Sequence, residues 1–289
     1  MTIAIIHGFF DEPSHTISYL VMDPDTHQAA VIDPVFDYDH ASGKAAMDSA
    51  DKILAKAAEL GAKIAFVFET HVHADHLSAA PYIKLKTGAS VVIGERIREV
   101  QAIFRPVFNA LDVSGEGAEF DRLVKDGERL KLGHLEVEVI ATPGHTPACV
   151  SYKIGDAVFV GDTMFMPDYG TARADFPGGD AASLYRSIRR LLALPPETRL
   201  FICHDYLPEG GRANFVWETT VAAQRAKNVQ AHDGVSEAEF VAMRVARDKT
   251  LSTPTLLMPS IQVNMRAGKL PPADKNGMHY IRVPITLPT

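Results

Sequence analysis

Short apolar runs separated by turn residues dominate the pattern of hydrophobic and polar positions along this chain of 289 residues. Runs of about four to eight residues, rich in Val, Ile and Phe, are typical of β-strands where turn residues follow them. The Gly155-Asp156 pair between two such runs predicts a hairpin turn. By this pattern we predict strands at residues 17–22, 29–32, 64–68, 90–93, 135–140, 150–154, 157–160 and 200–203.

Apolar residues recur at helical spacing in several stretches between these strands. The spacing predicts a helix over residues 44–60, ended by Gly61, and another over residues 181–194, ended by two prolines. A shorter helix is expected to end near Lys86, with Pro81 in its first turn. The strands fall into two groups, each accompanied by helices, which predicts two packed sheets with helices outside.

The last part of the chain changes to helix and loop. Ser236 and Glu239 form a capping-box pattern that predicts a helix through Ala246. The proline-rich tail from Thr253 is expected to be ordered by packing on the core. We therefore expect one domain over residues 1–289, with a C-terminal helical and loop extension at about 216–289. Residues 95–120 give no clear pattern.

Composition and charge narrow the class of protein. The chain is 46% hydrophobic and 22% charged, which is enough apolar material for a sizeable core. Its net charge of −7 argues against a general nucleic-acid or anionic-membrane binder. No run approaches the length of a membrane span, and the first residues do not resemble a signal peptide. Cys149 and Cys203 are expected to be buried and unpaired, so we expect a cytoplasmic protein.

A polar hexapeptide follows the predicted strand at residues 64–68 and has the sequence His71-Val72-His73-Ala74-Asp75-His76. In an extended chain, the side chains of His71 and His73 point the same way. Asp75 and His76 follow a turn and can face a different point. The hexapeptide can therefore serve two adjacent metal positions.

Further polar residues follow other predicted strands, which is where ligands from distant parts of a chain can converge. Neutral imidazole and carboxylate groups, with no thiolate beside them, suit zinc, iron or manganese. The spacing does not choose between one metal ion and two. The candidate ligands are His71, His73, Asp75, His76, His145, Asp162 and His204.

These motifs resemble the metallo-β-lactamase superfamily over most of residues 15–210. The resemblance rests on the H-x-H-x-D-H hexapeptide, Gly144-His145-Thr146, Gly161-Asp162 and the late His204. It implies an α/β (α+β) fold, an αββα four-layer sandwich with the metal site at one edge between the sheets. It also implies that Asp33, at the end of a predicted strand, supports the hexapeptide at residues 71–76, which we call the metal loop.

Other segments are similar to persulfide dioxygenases, the glutathione-dependent sulfur dioxygenases close to glyoxalase II. These segments are residues 143–149, 173–176, 204–206 and 264–268, the last containing Asn264-Met265-Arg266. The family binds one Fe(II) per chain through two histidines and an aspartate. Carried over by motif, these ligands are His71, His145 and Asp162. His73, Asp75, His76 and His204 would then hold the site from outside or complete a second metal position.

Two residues near the candidate ligands have a chemical interpretation of their own. The guanidinium of Arg173 can clamp a carboxylate with paired hydrogen bonds, and glutathione carries two carboxylates. Tyr206 can donate a phenol hydrogen bond to substrate as a catalytic residue. Met265 and Arg266 match the motif without an evident chemical role, and we interpret them as structural.

Two enzymatic activities fit this set of residues. The leading hypothesis is an iron-dependent persulfide dioxygenase that converts glutathione persulfide, O2 and water to sulfite and glutathione. The alternative is a glyoxalase II-like thioester hydrolase that uses two metal ions, with the same seven residues as ligands. The alternative cofactor to Fe(II) is zinc, as one or two ions. A non-enzymatic family member is a third class, against which the intact ligands argue. Expected partners are the small substrates and a second copy in a homodimer, with no nucleic acid and no membrane.

Overall fold

The structure, a computed structural model, describes residues 3–285. The strands in this range are β1 (Ile5–Asp11), β2 (Thr16–Met22), β3 (Gln28–Ile32), β4 (Val35–Asp39), β5 (Lys44–Ala46), β6 (Lys63–Phe68), β7 (Leu77–Ser78), β8 (Ser90–Gly94), β9 (Arg122–Val124), β10 (Arg129–Leu132), β11 (Leu135–Ala141), β12 (Val150–Ile154), β13 (Ala157–Phe159), β14 (Arg199–Phe201) and β15 (Glu218–Thr220). The helices are α1 (Asp48–Glu59), α2 (Ala80–Thr87), α3 (Ile97–Val107), α4 (Ala181–Leu192), α5 (Val221–Lys227), α6 (Glu237–Asp248) and α7 (Leu257–Asn264).

These strands form two six-stranded sheets and a smaller third one. The first sheet has the order β1-β2-β3-β6-β8-β9, and the second has the order β10-β11-β12-β13-β14-β15. Neighbours from β3 to β9 in the first sheet are parallel, whereas in the second sheet β13 and β14 are the parallel pair. The third sheet, β5-β4-β7, was not predicted.

Alternating side chains along the strands build two kinds of core. In β2, Ile17, Tyr19 and Val21 face the second sheet, while Leu20 and Met22 face the helices, as the two-residue period of a strand requires. Helices α1, α2, α3 and α7 cover the outer face of the first sheet. Helices α4 and α6 cover the second sheet. The predicted αββα fold is confirmed.

The predicted helix over residues 44–60 is wrong at its start. Residues Lys44–Ala46 form β5, which pairs antiparallel with β4, and α1 begins at Asp48. The Asp37 carboxylate of β4 accepts hydrogen bonds from Ser49 N at 3.0 Å and Ser49 Oγ at 2.8 Å. This contact fixes the first turn of the helix against the hairpin, so the helix cannot extend back into β5.

Other segments refine the sequence prediction. The unassigned residues 95–120 contain α3, with Pro106 in its last turn, and the tail contains the buried helix α7. The capping box at Ser236 is present, with the Glu239 side chain completing it. Cys149 and Cys203 are buried and free. In residues 3–285, no helix has the length and apolar character needed to cross a membrane.

Five strands lead toward one edge where the two large sheets meet. Strands β3 and β6 run in the same direction in the first sheet, and β11, β13 and β14 do so in the second. The backbone N–H of Ile17 donates to the carbonyl of Cys203 at 2.7 Å and joins the sheets there. The segments that follow these strands carry the candidate ligands.

Candidate metal centre

Three of the candidate ligands converge from three different strand ends. The ligand atoms of His71, His145 and Asp162 lie within 4.8 Å of one another. Nε2 of His71 is 3.9 Å from Asp162 Oδ2, and Nε2 of His145 is 3.7 Å from the same oxygen. We call this group the His71 triad. Two imidazoles and one carboxylate in this arrangement match the set that binds non-haem Fe(II) at one face and leaves other positions open.

The second ring nitrogen of each histidine in the His71 triad has its own acceptor. The Thr70 hydroxyl donates to Asp33 Oδ2 at 2.8 Å, so it accepts from His71 Nδ1 at 3.0 Å. Nδ1 of His145 donates to the carbonyl of Arg173 at 2.8 Å. Both rings are therefore held with Nε2 free as a lone-pair donor, which is how proteins orient metal-binding histidines.

Electrostatics keep His71 in the form that binds a metal. Burial lowers the pKa of His71 well below its usual value, and the neighbouring His73 and His145 lower it further. The ring is thus neutral near pH 7, and its Nε2 is buried without a hydrogen-bond partner. A neutral imidazole with a free lone pair is the form that coordinates metals.

A second group, which we call the Asp75 triad, consists of Asp75, His76 and His204. Oδ2 of Asp75 lies 3.3 Å from His76 Nδ1 and 3.3 Å from His204 Nε2. Nε2 of His204 is also 3.4 Å from Oδ1 of Asp162. Asp162 therefore faces the His71 triad with one oxygen and the Asp75 triad with the other.

The hydroxyl of Thr16 is shared among the members of the Asp75 triad. Thr16 Oγ1 is 3.3 Å from Asp75 Oδ2, 3.2 Å from His76 Nδ1 and 3.4 Å from His204 Nδ1. The Asp75 carboxylate can only accept, so it takes the hydroxyl hydrogen, and both imidazoles face the lone pairs of the one Thr16 oxygen. The Asp75 triad thus lacks the separate acceptors that hold the two histidines of the His71 triad.

His73 lies between the two triads and contacts the metal loop from inside. Its Nε2 is 3.0 Å from Asp33 and 3.4 Å from Glu69, while its Nδ1 is buried without a partner. Burial opposes protonation, but the charges and hydrogen bonds of the two carboxylates raise the pKa of His73 well above its usual value. One ring nitrogen of His73 lies within 4.8 Å of ligand atoms of Asp75 and His76, and one lies within the same distance of ligand atoms of Cys203 and His204.

Buried atoms without hydrogen bonds provide a test of whether a metal fits. Unpaired buried polar atoms are costly in a protein interior, so a group of them facing one another points to an ion. Cys203 offers no thiolate, because burial raises the pKa of its thiol well above the usual value. Nitrogen and carboxylate donors therefore fit iron, zinc or manganese. Among the candidate ligands, the unpaired atoms are Nε2 of His71, His76 and His204, Nδ1 of His73, and Oδ1 of Asp162.

Backbone conformations bring the loops close enough for these contacts. Gly161 precedes Asp162 with φ +52°, and a Cβ there would lie 2.7 Å from Thr70. Only glycine allows this approach of the segment after β13 to Thr70, which directly precedes the hexapeptide. Asp33 itself has φ 48°, a conformation uncommon for a residue with a side chain. Its carboxylate accepts from the Thr70 N–H at 2.7 Å and from His73, so the structure places it where loop support was predicted.

A cleft of about 1240 Å³ lies over the two triads. Its walls include the β4–β5 hairpin and residues 251–257, and Asp75, His76, His145 and Asp162 contribute to its lining. Pockets of about 300–1,000 Å³ commonly hold drug-sized ligands, so this cleft has room for a small molecule. The structure thus gives a substrate of that size access to the candidate ligands.

Tyr206 and Arg173 both line this cleft. The ring of Tyr206 lies 6.0 Å from that of His204. Burial and the charges of Asp75 and Asp162 raise its pKa well above the usual value, so its hydroxyl stays protonated and can donate. The guanidinium of Arg173 donates from Nε at 2.6 Å and Nη2 at 2.8 Å to Asp175, and from Nη1 at 2.8 Å to the Ser252 carbonyl. N–H groups on Nη1 and Nη2 remain for a ligand.

Sequence reasoning missed the hydroxyl and amide groups that hold the ligands. Thr70 directly precedes the hexapeptide, and its position was the available signal. Asn264 lay in a recognised motif but had no assigned chemistry, although its side chain contacts the metal loop. Thr16 gave no local signal, because its position depends on the bridge that pairs it with His204.

Comparison with known proteins places this geometry in a family. The sequence profile of the Metallo-beta-lactamase superfamily matches residues 13–204. The chain is 51% identical over 291 residues to a protein of Burkholderia pseudomallei (strain 1710b) named probable metallo-hydrolase, covering 97% of this chain and 98% of that protein. It is 45% identical over 285 residues to Glyoxylase B2 of Dictyostelium discoideum, covering 98% and 97% of the two chains.

More distant relatives include a named dioxygenase. The chain is 29% identical over 273 residues to the mouse (Mus musculus) mitochondrial persulfide dioxygenase ETHE1, covering 93% of this chain and 91% of that protein. The crystal structure of ETHE1 from Myxococcus xanthus superposes with a TM-score of 0.74 at 31% identity, over 92% of this chain and 100% of that chain. By its sequence, its fold and the arrangement of its candidate ligands, the chain belongs to the metallo-beta-lactamase superfamily.

Proposed function

We propose that the protein is an iron-dependent persulfide dioxygenase that oxidises glutathione persulfide with O2 to sulfite and glutathione. The His71 triad is the observation that carries this proposal. Its Nε2 atoms and the Asp162 carboxylate converge below an open cleft, and separate acceptors fix both imidazoles. This is the two-histidine, one-carboxylate set typical of non-haem Fe(II) oxygenases. One Fe(II) per chain would be held by His71, His145 and Asp162.

The reaction balances with water as the third reactant. Glutathione persulfide, O2 and H2O give glutathione, sulfite and two protons, and the terminal sulfur is oxidised while O2 is reduced. When bound, ferrous iron supplies the redox chemistry between sulfur and O2. The similarity to the mouse persulfide dioxygenase and to the Myxococcus xanthus structure supports the same reaction for this chain.

The protein's own residues would orient the substrate and hold protons. Tyr206 stays protonated and lines the cleft, so it would donate its phenol hydrogen to the substrate. Arg173 would bind a glutathione carboxylate with the N–H groups that Asp175 and Ser252 leave free. His73, Asp75, His76 and His204 would hold the site from outside.

A glyoxalase II-like thioester hydrolase with two metal ions is the second candidate. The unpaired Nε2 atoms of His76 and His204, together with Asp162 Oδ1, favour it, because they provide lone pairs for a second ion. The names of two relatives, Glyoxylase B2 and probable metallo-hydrolase, point the same way. In that reaction the metals would activate water and polarise a carbonyl.

Oxygen consumption separates these two activities. Protein purified and loaded with Fe(II) without oxygen should take up O2 when glutathione persulfide is added, release sulfite, and stop when an iron chelator is added. Metal analysis should give about one iron per chain, because the His71 triad provides one set of two histidines and one carboxylate. Anaerobic hydrolysis of S-lactoylglutathione, with two zinc ions per chain and no persulfide-dependent O2 uptake, would establish the hydrolase instead.

A further inference from the structure

Helix α7 brings one buried amide side chain to the metal loop. Nδ2 of Asn264 donates to the carbonyl of His73 at 2.9 Å and to the carbonyl of His76 at 2.8 Å. Its Oδ1 accepts from the backbone N–H of Ser78 at 2.8 Å. Asn264 is 4% exposed, so water does not compete for these bonds. Both donor hydrogens and the acceptor of the amide are thus used on one short loop.

Asn264 and Asp33 hold opposite ends of this loop. Asp33 accepts from Thr70 and His73 on the side where the chain enters. Asn264 binds the backbone where the chain leaves, at His76 and Ser78. Between these two contacts lie all the candidate ligands that the loop supplies. Without Asn264, the carbonyls of His73 and His76 would lose their fixed orientation, and their side chains would lose it with them.

The helix that carries Asn264 is itself firmly held. Met265 packs in the core of the first sheet and its helices, and its carbonyl accepts from Gln101 Nε2 at 2.9 Å. The guanidinium of Arg266 donates two hydrogen bonds to the carboxylate of Asp112, from Nε at 2.7 Å and from Nη2 at 2.8 Å. The neighbours of Asn264 in the Asn-Met-Arg motif therefore fix its position, which makes it a rigid support rather than a loose contact.

We propose that Asn264 is a positioning residue for the metal centre, acting through the backbone of the loop that carries His71, which it binds at His73, His76 and Ser78. This inference rests on the metal site of the proposed function but not on iron or on the oxidation reaction. It predicts that Asn264 determines how tightly the site binds a metal, whichever activity the loaded protein has. Outer contacts of this kind typically change metal affinity by about 10–100-fold.

Gln262 provides a matched control on the same helix. Its Nε2 donates to the carbonyls of Met258 and Arg282, each at 2.8 Å, and its Oε1 accepts from the Arg282 N–H at 3.0 Å. Like Asn264 it is buried, at 2% exposure, and uses an amide to bind two carbonyls and one N–H. Its partners lie in α7 and the tail, not in the metal loop.

The test measures Co²⁺ affinity by chelator competition and the visible d–d spectrum of the bound ion, with wild type, Asn264→Ala and Gln262→Ala. We expect Asn264→Ala to raise the dissociation constant by about 10–100-fold and to change the spectrum. Gln262→Ala should leave both unchanged. The midpoint of thermal unfolding without metal should fall to a similar extent in the two variants, because they lose the same types of hydrogen bond.

Asn264→Asp separates the hydrogen bonds from the volume of the side chain. The aspartate keeps an oxygen that accepts from the Ser78 N–H. It replaces the NH2 group of the amide by a second oxygen, which faces the carbonyls of His73 and His76. We expect the same loss of affinity as in Asn264→Ala. Wild-type affinity in either Asn264 variant, or an equal loss in Gln262→Ala, would overturn the positioning role while leaving the metal site intact. Failure of the wild-type protein to bind Co²⁺ or Zn²⁺ would instead overturn the metal site itself.

Discussion

The His71 triad and the Asp75 triad meet at Asp162, which belongs to the first and faces the second, but they are built differently. Each histidine of the His71 triad has its own acceptor, one on the Thr70 hydroxyl and one on a backbone carbonyl. The histidines of the Asp75 triad both contact the single hydroxyl of Thr16. The side chain of Asp75 is also more exposed than that of Asp162, at 24% against 11%.

This difference determines which triad is arranged for a metal in advance. In the His71 triad, the hydrogen bonds select one tautomer for each ring and leave Nε2 free. In the Asp75 triad, Nδ1 of His76 and Nδ1 of His204 face the same Thr16 oxygen at 3.2 and 3.4 Å, so the two rings are held by longer contacts to one shared atom. We infer that the His71 triad binds the first ion tightly and that the Asp75 triad shapes the surroundings or binds a second ion more weakly.

The largest expected effect comes from removing a member of the His71 triad. His71→Ala, His145→Ala and Asp162→Ala should each abolish both metal retention and activity, because the site then keeps only two of its three converging donors. Metal content after gel filtration and O2 uptake with glutathione persulfide provide the measurements. A variant that retains full iron content would remove that residue from the set of ligands.

Removing a histidine of the Asp75 triad should have a smaller and different effect. His76→Ala and His204→Ala should lower activity by about 10–100-fold while keeping about one iron per chain, as expected for residues that support a metal site from outside. Metal analysis beside steady-state rates tests this difference. A fall from two metal ions to one per chain would erase the proposed distinction and favour the binuclear hydrolase.

The placement of the candidate ligands at strand ends could be predicted because strand ends are encoded locally. The apolar run at residues 64–68 stops where the hexapeptide begins, and that transition is visible without a structure. The sequence does not show the difference between the hydrogen bonds that hold the two triads. Thr16 meets His204 through a bridge between residues 188 positions apart, and no local pattern records such a pairing.

Among the elements that were not predicted, β5 and α7 show the physical reasons most clearly. Strand β5 is exposed along its whole length, so it lacks the alternation of a half-buried strand, and its alanines continue the helical spacing of α1. Helix α7 is buried around most of its circumference and contains Pro259, so it has no amphipathic period. The position of Asn264 depends on this helix and was therefore equally hidden.

A pair of matched hydroxyl deletions sharpens the comparison between the triads. Thr70→Val leaves His71 Nδ1 without a partner in a buried site and removes one hydrogen bond to Asp33 Oδ2, so it should weaken binding of the first metal by about tenfold or more. Thr16→Val removes a similar hydroxyl from the Asp75 triad and should leave that affinity unchanged. Chelator competition with Co²⁺ measures both. Equal losses in the two variants would mean that the first metal depends on both triads alike.

The smallest expected effect concerns Arg173, whose backbone and side chain have separate roles. Its carbonyl holds His145 in the His71 triad, whereas its side chain lines the cleft. Arg173→Lys keeps the charge but loses the paired N–H groups of the guanidinium. Because the backbone contact to His145 is kept, metal content should stay at the wild-type level. KM for glutathione persulfide should rise by about tenfold, the equivalent of one lost hydrogen bond to a charged group, with little change in kcat.

Arg190→Lys is the control, because Arg190 contacts Asp126 and the Ala141 carbonyl and is not among the residues that line the cleft. Loss of iron in Arg173→Lys would assign the side chain to the support of His145, and an unchanged KM would remove it from substrate binding.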